Sequence, residues 1–246
     1  MTQLSSEDHL KQLANSLHFM SDWLPQARQA PETTVPACPG WTLSDLYAHL
    51  SDVHRNVIQT LATAGTDRRP EPRGQNSEQH HSDPFDGFLE SSRDLFKALT
   101  ATDPGLACWG FGPPPRLAAF WFRRQNMEHL VHAEDLAQSL RSQEPAMAKE
   151  AHLSNETALD GVSELLDMLV PQRIRSGTVE QPAAALRFEA AGQSWIVGAG
   201  EVVASLTTDP VTMLLGLWRR RPLLSLAITT GDREVLGAFL QSKIVP

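Results

Sequence analysis

No excess of basic charge is available to this chain: 21 Lys and Arg stand against 29 Asp and Glu, a net charge of −8. Binding to a phosphate backbone needs a basic face, so nucleic acid is not an expected partner. The run Arg219, Arg220, Arg221 is the one dense basic cluster, and it is too short to reverse that reading. Cysteine is scarce as well. Cys38 and Cys108 are the two present, which is no disulfide framework. No run reaches the roughly 18 apolar residues of a membrane-spanning helix. The opening MTQLSSEDHL is acidic and lacks the apolar segment of a signal peptide. The serine-rich segments contain no nucleophile elbow, and the glycines form no phosphate-binding loop. These absences leave a soluble, cytoplasmic protein as the expectation.

Hydrophobic residues make up 41% of the 246, enough for a real core. Residues 5–24 have helical spacing, with Leu10, Leu13, Leu17 and Met20 on one face, Ser5 and Asp8 at the start and Pro25 as the stop. Thr42 with Asp45 three residues on is a near capping box for a second helix. Its buried stripe is Leu43, Leu46, Tyr47, Leu50, Val53, Val57 and Leu61. Gly65 to Ser82 reads as a solvated loop. Asp83-Pro84 opens a third helix that runs to about Thr100. A fourth covers about Leu117–Leu140, and a fifth, about Leu153–Leu169, stops at Pro171.

The texture then changes. ALRFEA, SWIVGAG and EVVASLTT are short β-like runs, PVTMLLGLWRR is helical, LLSLAIT is β-like and GDREVLGAFLQ is a last helix. Helices first and strands later predict an α+β protein of two domains, 1–172 and 184–246, with the boundary near 172–183.

The informative segment is FWFRRQNMEHLVHAEDLA in the fourth helix. Glu128 and His132 are four apart, about 40° from one another on one face. Trp121 and Leu117 return to the same face, so a carboxylate and an imidazole continue an apolar stripe. A lone buried carboxylate is costly. A metal ion shared with His132 removes that cost, and a buried Glu–His hydrogen bond is the plainer alternative. His129 lies about 100° round and is expected to be solvated. In the second helix His49 and His54 both fall near the buried side, and periodicity does not choose between them as a third ligand. Three protein ligands leave a fourth position open, as a catalytic zinc needs.

VPACPGWTLSDLYAHLSDVHR resembles the first signature of the maleylpyruvate isomerase family of mycothiol-dependent enzymes, within the DinB-like metalloprotein superfamily. FWFRRQNMEHLVHAEDLA resembles the second signature, and LLGLWRRRP with GDREVL the family's C-terminal domain. The resemblance spans almost the whole chain in order. It implies an up-down helical bundle followed by a smaller α+β domain of the sterol-carrier-protein kind. It also implies a divalent metal, zinc by expectation, held by His49, Glu128 and His132. By the same resemblance His54 is structural or supports the ligands. Asp135, three residues after His132, is either an orienting carboxylate or an ordinary hydrogen-bond partner. Met127 stands where the family often has a histidine and makes the pocket more apolar.

The resemblance further implies that the C-terminal domain lends an arginine to the catalytic and cofactor-binding site. Arg220 and Arg233 both match, and the choice between them stays open. The implied cofactor is the low-molecular-weight thiol mycothiol, bound as a thiolate at the metal. The expected chemistry is addition to the cis double bond of a small electrophile of maleylpyruvate type, rotation, and elimination to the trans isomer, or lasting transfer of the thiol. The alternatives are a hydrolase using metal-bound water and a non-catalytic thiol-binding bundle. Neither cysteine is expected to act as a nucleophile: packing explains Cys38, and nothing near Cys108 lowers its pKa.

Overall fold

A computed structural model describes residues 4–70, 83–141 and 153–245. The described chain separates into two compact units, residues 5–141 and residues 153–245. The division falls earlier than the change in sequence texture near 172–183. The helix after Leu153 packs on a later helix of the C-terminal unit and so groups with the sheet. Texture marks where strands begin, and packing marks where a domain begins.

The N-terminal unit is built on four long helices, α1 (Ser6–Asp22), α3 (Leu43–Leu61), α4 (Pro84–Ala101) and α5 (Ala119–Arg141), with a short α2 (Leu24–Gln29). Three of the four starts follow from local chemistry. Ser5 and Asp8, and Thr42 and Asp45, form full capping boxes, so two orphan N–H groups are satisfied at each end. Asp83 caps α4 by accepting from the Phe85 N–H, with Pro84 in the first turn. Pro25 does not simply end the first helix. The chain turns at Trp23, and Pro25 sits in the first turn of α2, where its missing N–H costs nothing. The α3 stripe is buried as expected except Val53, which is partly covered. Tyr47 donates to the Met20 carbonyl at 2.8 Å and meets Phe88 edge-on at 5.0 Å. The helices pack chiefly as two pairs, α1 with α5 and α3 with α4. Residues 65–69 are exposed, as expected of the polar loop; the rest of that loop, 71–82, lies outside the described residues.

The C-terminal unit begins with α6 (Asn155–Ser163), a π-helical segment (Glu164–Leu169) and α7 (Val170–Arg175). Pro171 therefore does not stop the helix. A proline cannot donate to the carbonyl four residues back and its ring crowds that carbonyl. The wider π-turn, in which Val170 N–H donates to Leu165 O, carries the helix past it. Four strands follow, β1 (Ala185–Ala190), β2 (Gln193–Val197), β3 (Val202–Thr207) and β4 (Ile228–Gly231), in the order β2-β1-β3-β4. β1 and β3 are parallel, and the two outer pairings are antiparallel. Between β3 and β4 lie α8 (Pro210–Leu217) and a single turn, α9 (Leu223–Leu226); α10 (Arg233–Gln241) closes the unit. The run LLSLAIT is thus half helix: its first leucines form α9, and the strand starts at Ile228. Helices and a small mixed sheet make the protein α+β.

Candidate metal centre

α3 and α5 bring His49, Glu128 and His132 together. His49 Nε2 lies 3.1 Å from Glu128 Oε1, and His132 Nε2 lies 3.4 Å from the same oxygen. One atom from each residue falls within 4.8 Å of the others. Side-chain exposure falls from 32% at His49 to 15% at Glu128 and 9% at His132, so the cluster opens on the His49 side.

The supporting groups come from α5 itself and from the loop before α3. Asp135, fully buried one turn further along α5, accepts from His132 Nδ1 at 2.9 Å. That fixes the ring and leaves Nε2 as the nitrogen facing Glu128. Arg124, one turn before Glu128, pairs with its other oxygen. The loop before α3 supplies the third layer. Val35 N–H donates to Trp41 O and Trp41 N–H to Cys38 O, each at 2.9 Å, closing a tight turn. Gly40 takes φ +85° there, a conformation that favours glycine. The turn sets the Trp41 ring 4.8 Å from that of His49 and stacks it near the His132 ring at 6.1 Å. It also sets Cys38 Sγ 3.6 Å from Asp135 Oδ2.

Burial alone would raise the Glu128 pKa. Arg124 and the hydrogen bonds to His132 and His49 override it and hold the carboxyl well below its usual range. Burial would likewise lower His132, but its bonds to Asp135 and Glu128 lift it to about 9. Without an ion, the cluster is a carboxylate shared by two imidazoles.

The donor set suits a metal. Zinc binds imidazole nitrogen at about 2.0–2.1 Å and carboxylate oxygen at about 2.0–2.2 Å, so neighbouring ligands of a tetrahedral ion sit about 3.4 Å apart. The two N···O separations already match that edge. The carboxylate behind His132 Nδ1 is the usual support of a ligating histidine. Cys38, His132 and Asp135 form a second group of potential ligand atoms, but there the His132 nitrogen is already bonded to Asp135.

His54 is absent from both groups. It is fully buried, with Nδ1 2.9 Å from Ser91 Oγ and Nε2 2.7 Å from His129 Nε2. The expectation that His129 is solvated is therefore wrong. It assumed a helix with one buried face, whereas α5 is buried around most of its circumference and its His129 side turns toward α3. Burial lowers His129 to about 4 and holds His54 well below its usual value. Cys108 is fully buried near the Thr60 carbonyl, and burial pushes its thiol up, as expected of an inert cysteine. Met127 is buried.

Of the two arginines, Arg220 is half-buried and lines a cavity of about 600 Å³ with Arg219, Arg221, Leu223 and Leu224. Its Nη1 donates to Trp218 O at 2.7 Å. Arg233 is exposed at the start of α10 and donates to the Leu224 carbonyl at 3.0 Å. Arg124, Trp41 and the contact of Cys38 with Asp135 were not foreseen. Arg124 had a legible signal, since it precedes Glu128 by four residues on one helix face. The other two are tertiary contacts.

The family model described as "Mycothiol maleylpyruvate isomerase N-terminal domain" matches residues 14–137, and that described as "MDMPI C-terminal domain" matches residues 156–238. No curated protein matches the sequence. Two solved structures share the fold: a mycothiol-dependent maleylpyruvate isomerase (TM-score 0.65) and a histidine-to-alanine mutant of the mycothiol-dependent maleylpyruvate isomerase (TM-score 0.67). Each is 15% identical to this chain, with 94% of this chain and 97% of the other covered.

Proposed function

The chain belongs to the mycothiol maleylpyruvate isomerase family, and from that premise we propose that it is a metal- and mycothiol-dependent enzyme acting on a small electrophile. The reaction is cis–trans isomerisation of a maleylpyruvate-type substrate or transfer of the thiol to such an electrophile. The observation that carries this reading is the convergence of His49, Glu128 and His132, with both histidine nitrogens near a tetrahedral edge from the Glu128 oxygen, on one open side of the bundle.

When bound, a divalent ion, zinc by expectation, supplies a Lewis acid at which a coordinating thiol loses its proton at neutral pH. The chain's residues do the rest. His49, Glu128 and His132 hold the ion. Asp135 fixes the His132 ring, and Arg124 restrains Glu128 while balancing its charge. Trp41 packs against both histidine rings, tilted to His49 and near parallel to His132, and limits their rotation. A keto-acid substrate carries carboxylates, and a guanidinium recognises these in a planar, two-pronged way. Each arginine donates to a backbone carbonyl, but Arg220 is half-buried and lines a cavity whereas Arg233 is exposed, so Arg220 is better suited to that role.

The test is metal content and turnover together. The protein binds one ion per chain; His132→Ala and His49→Ala abolish binding, while His54→Ala still fills at saturating metal. The loaded protein isomerises maleylpyruvate with added mycothiol, and Arg220→Ala loses more activity than Arg233→Ala. Full metal content in His49→Ala with loss in His54→Ala contradicts the ligand assignment.

A further inference from the structure

Two buried imidazoles lie beside the candidate metal centre and take no part in it. His129 Nδ1 is 2.7 Å from the Gln125 carbonyl, which has only lone pairs to offer, so Nδ1 carries a proton. Both rings are fully buried, and among the described residues no carboxylate is hydrogen-bonded to either, which favours the neutral form of each. His129 Nε2 is then bare and accepts from His54 Nε2–H at 2.7 Å, and His54 Nδ1 accepts from the Ser91 hydroxyl at 2.9 Å. The result is one directed chain, Ser91 to His54 to His129 to the Gln125 carbonyl, joining α4, α3 and α5. The two rings lie edge to edge and nearly coplanar, with centroids 4.9 Å apart and planes 15° from parallel, as an in-line hydrogen bond requires.

The location gives the pair its meaning. α3 packs mainly on α4, and α5 mainly on α1, so α3 and α5 meet at few points. Two of those meetings are side-chain bridges: His49 with Glu128, and His54 with His129. In sequence the second bridge follows the first by five residues on α3 and by one on α5. The separation of the two helices at this level sets the distance from His49 to Glu128.

We propose that the His54–His129 pair is a positioning device for the metal centre: a neutral imidazole–imidazole bridge that fixes the α3–α5 separation, and with it the spacing of His49 from Glu128 and His132. The inference rests on the reading of those three residues as metal ligands. His54 and His129 touch neither ion nor substrate and act through the helices that carry the ligands. Packing alone does not require this chemistry, because a buried apolar side chain would fill the same space with no hydrogen bonds to satisfy.

The test uses the full-length protein and cobalt(II) as the probe, read by its affinity and absorption spectrum. In His54→Leu the bridge is lost and cobalt affinity falls about 10- to 100-fold, the range for residues that support a metal ligand. The cobalt spectrum changes as the ligand geometry loosens. In His54→Gln the amide nitrogen donates to His129 and the amide oxygen accepts from Ser91, so affinity and spectrum return to within about threefold of wild type. Should the leucine variant fail to fold, His54→Asn decides: it is polar enough for the site but too short to reach His129, and it shows the same loss. Native cobalt affinity and spectrum in a folded His54→Leu or His54→Asn overturn the proposal, as does a His54→Gln variant no better than leucine. If wild type binds cobalt, His49→Ala does not and His54→Leu is unaffected, the positioning inference fails alone. If wild type binds no cobalt, the metal reading fails and takes the proposal with it.

Discussion

Metal affinity should depend steeply on pH, and the structure sets both direction and range. In the metal-free site His132 holds its proton up to about pH 9, because hydrogen bonds to Asp135 and Glu128 outweigh the effect of burial. An incoming ion must displace that proton from Nε2. Below pH 9 the apparent affinity therefore falls about tenfold per pH unit, so between pH 9 and pH 7 about 100-fold is lost, roughly 2.7 kcal/mol. The fold without metal responds in the opposite sense. A raised imidazole pKa stabilises the native state fully below the ordinary value of 6.5, and the gain disappears as pH rises through 9. Raising the pH should thus weaken the metal-free protein while tightening its grip on the ion. Asp135→Asn separates the causes. It removes the carboxylate that most supports the His132 proton, so the rise in affinity ends at a lower pH, and its plateau drops about 10- to 100-fold because the ring is less firmly oriented. The assay is cobalt binding in competition with a chelator from pH 6 to 10, with calorimetry in two buffers to count the released proton. An affinity that is flat between pH 7 and 9, or an asparagine variant with an unshifted profile, refutes the reasoning.

Two further outcomes are expected. Cys38→Ser and Cys108→Ser should keep most of the thiol-dependent activity, as measured by turnover at saturating thiol: Cys108 is buried with a raised pKa, and serine can replace the Cys38 contact with Asp135. Removing residues 153–246 should leave cobalt binding in place, since the three proposed ligands lie in residues 5–141, but abolish turnover, for which we propose an arginine of the C-terminal unit. A truncated bundle that turns over normally would refute that division of labour.

Much of this was legible in the sequence because it rests on short-range rules. The helix start at Ser5–Asp8 and the near capping box at Thr42–Asp45 are patterns spanning three residues, and the structure completes a capping box at both. The Glu128–His132 pair is a four-residue spacing, and it faces His49. What escaped was set at longer range or by a competing backbone solution. By sequence Pro171 is a stop, because a regular helix cannot pass it, yet a π-turn does. Helical periodicity sent His129 to solvent, but α5 has buried neighbours on more than one side. Periodicity left His49 and His54 equivalent. The fold separates them by register: His49 meets Glu128, while His54, five residues on, meets His129. Trp41 and Cys38 belong to a turn whose aim toward His132 and Asp135 no local pattern encodes.

Cobalt-substituted protein titrated with mycothiol tests the central claim most directly. A site held by two histidines and a carboxylate, with one position open, should take the thiol sulfur onto the metal and develop a sulfur-to-cobalt charge-transfer band that saturates with thiol. The band should persist in Cys38→Ser and Cys108→Ser and vanish in His132→Ala, and maleylpyruvate turnover should follow the same saturation curve from zero without thiol. A cobalt spectrum unchanged by mycothiol, or robust turnover in thiol-free buffer, would contradict the account.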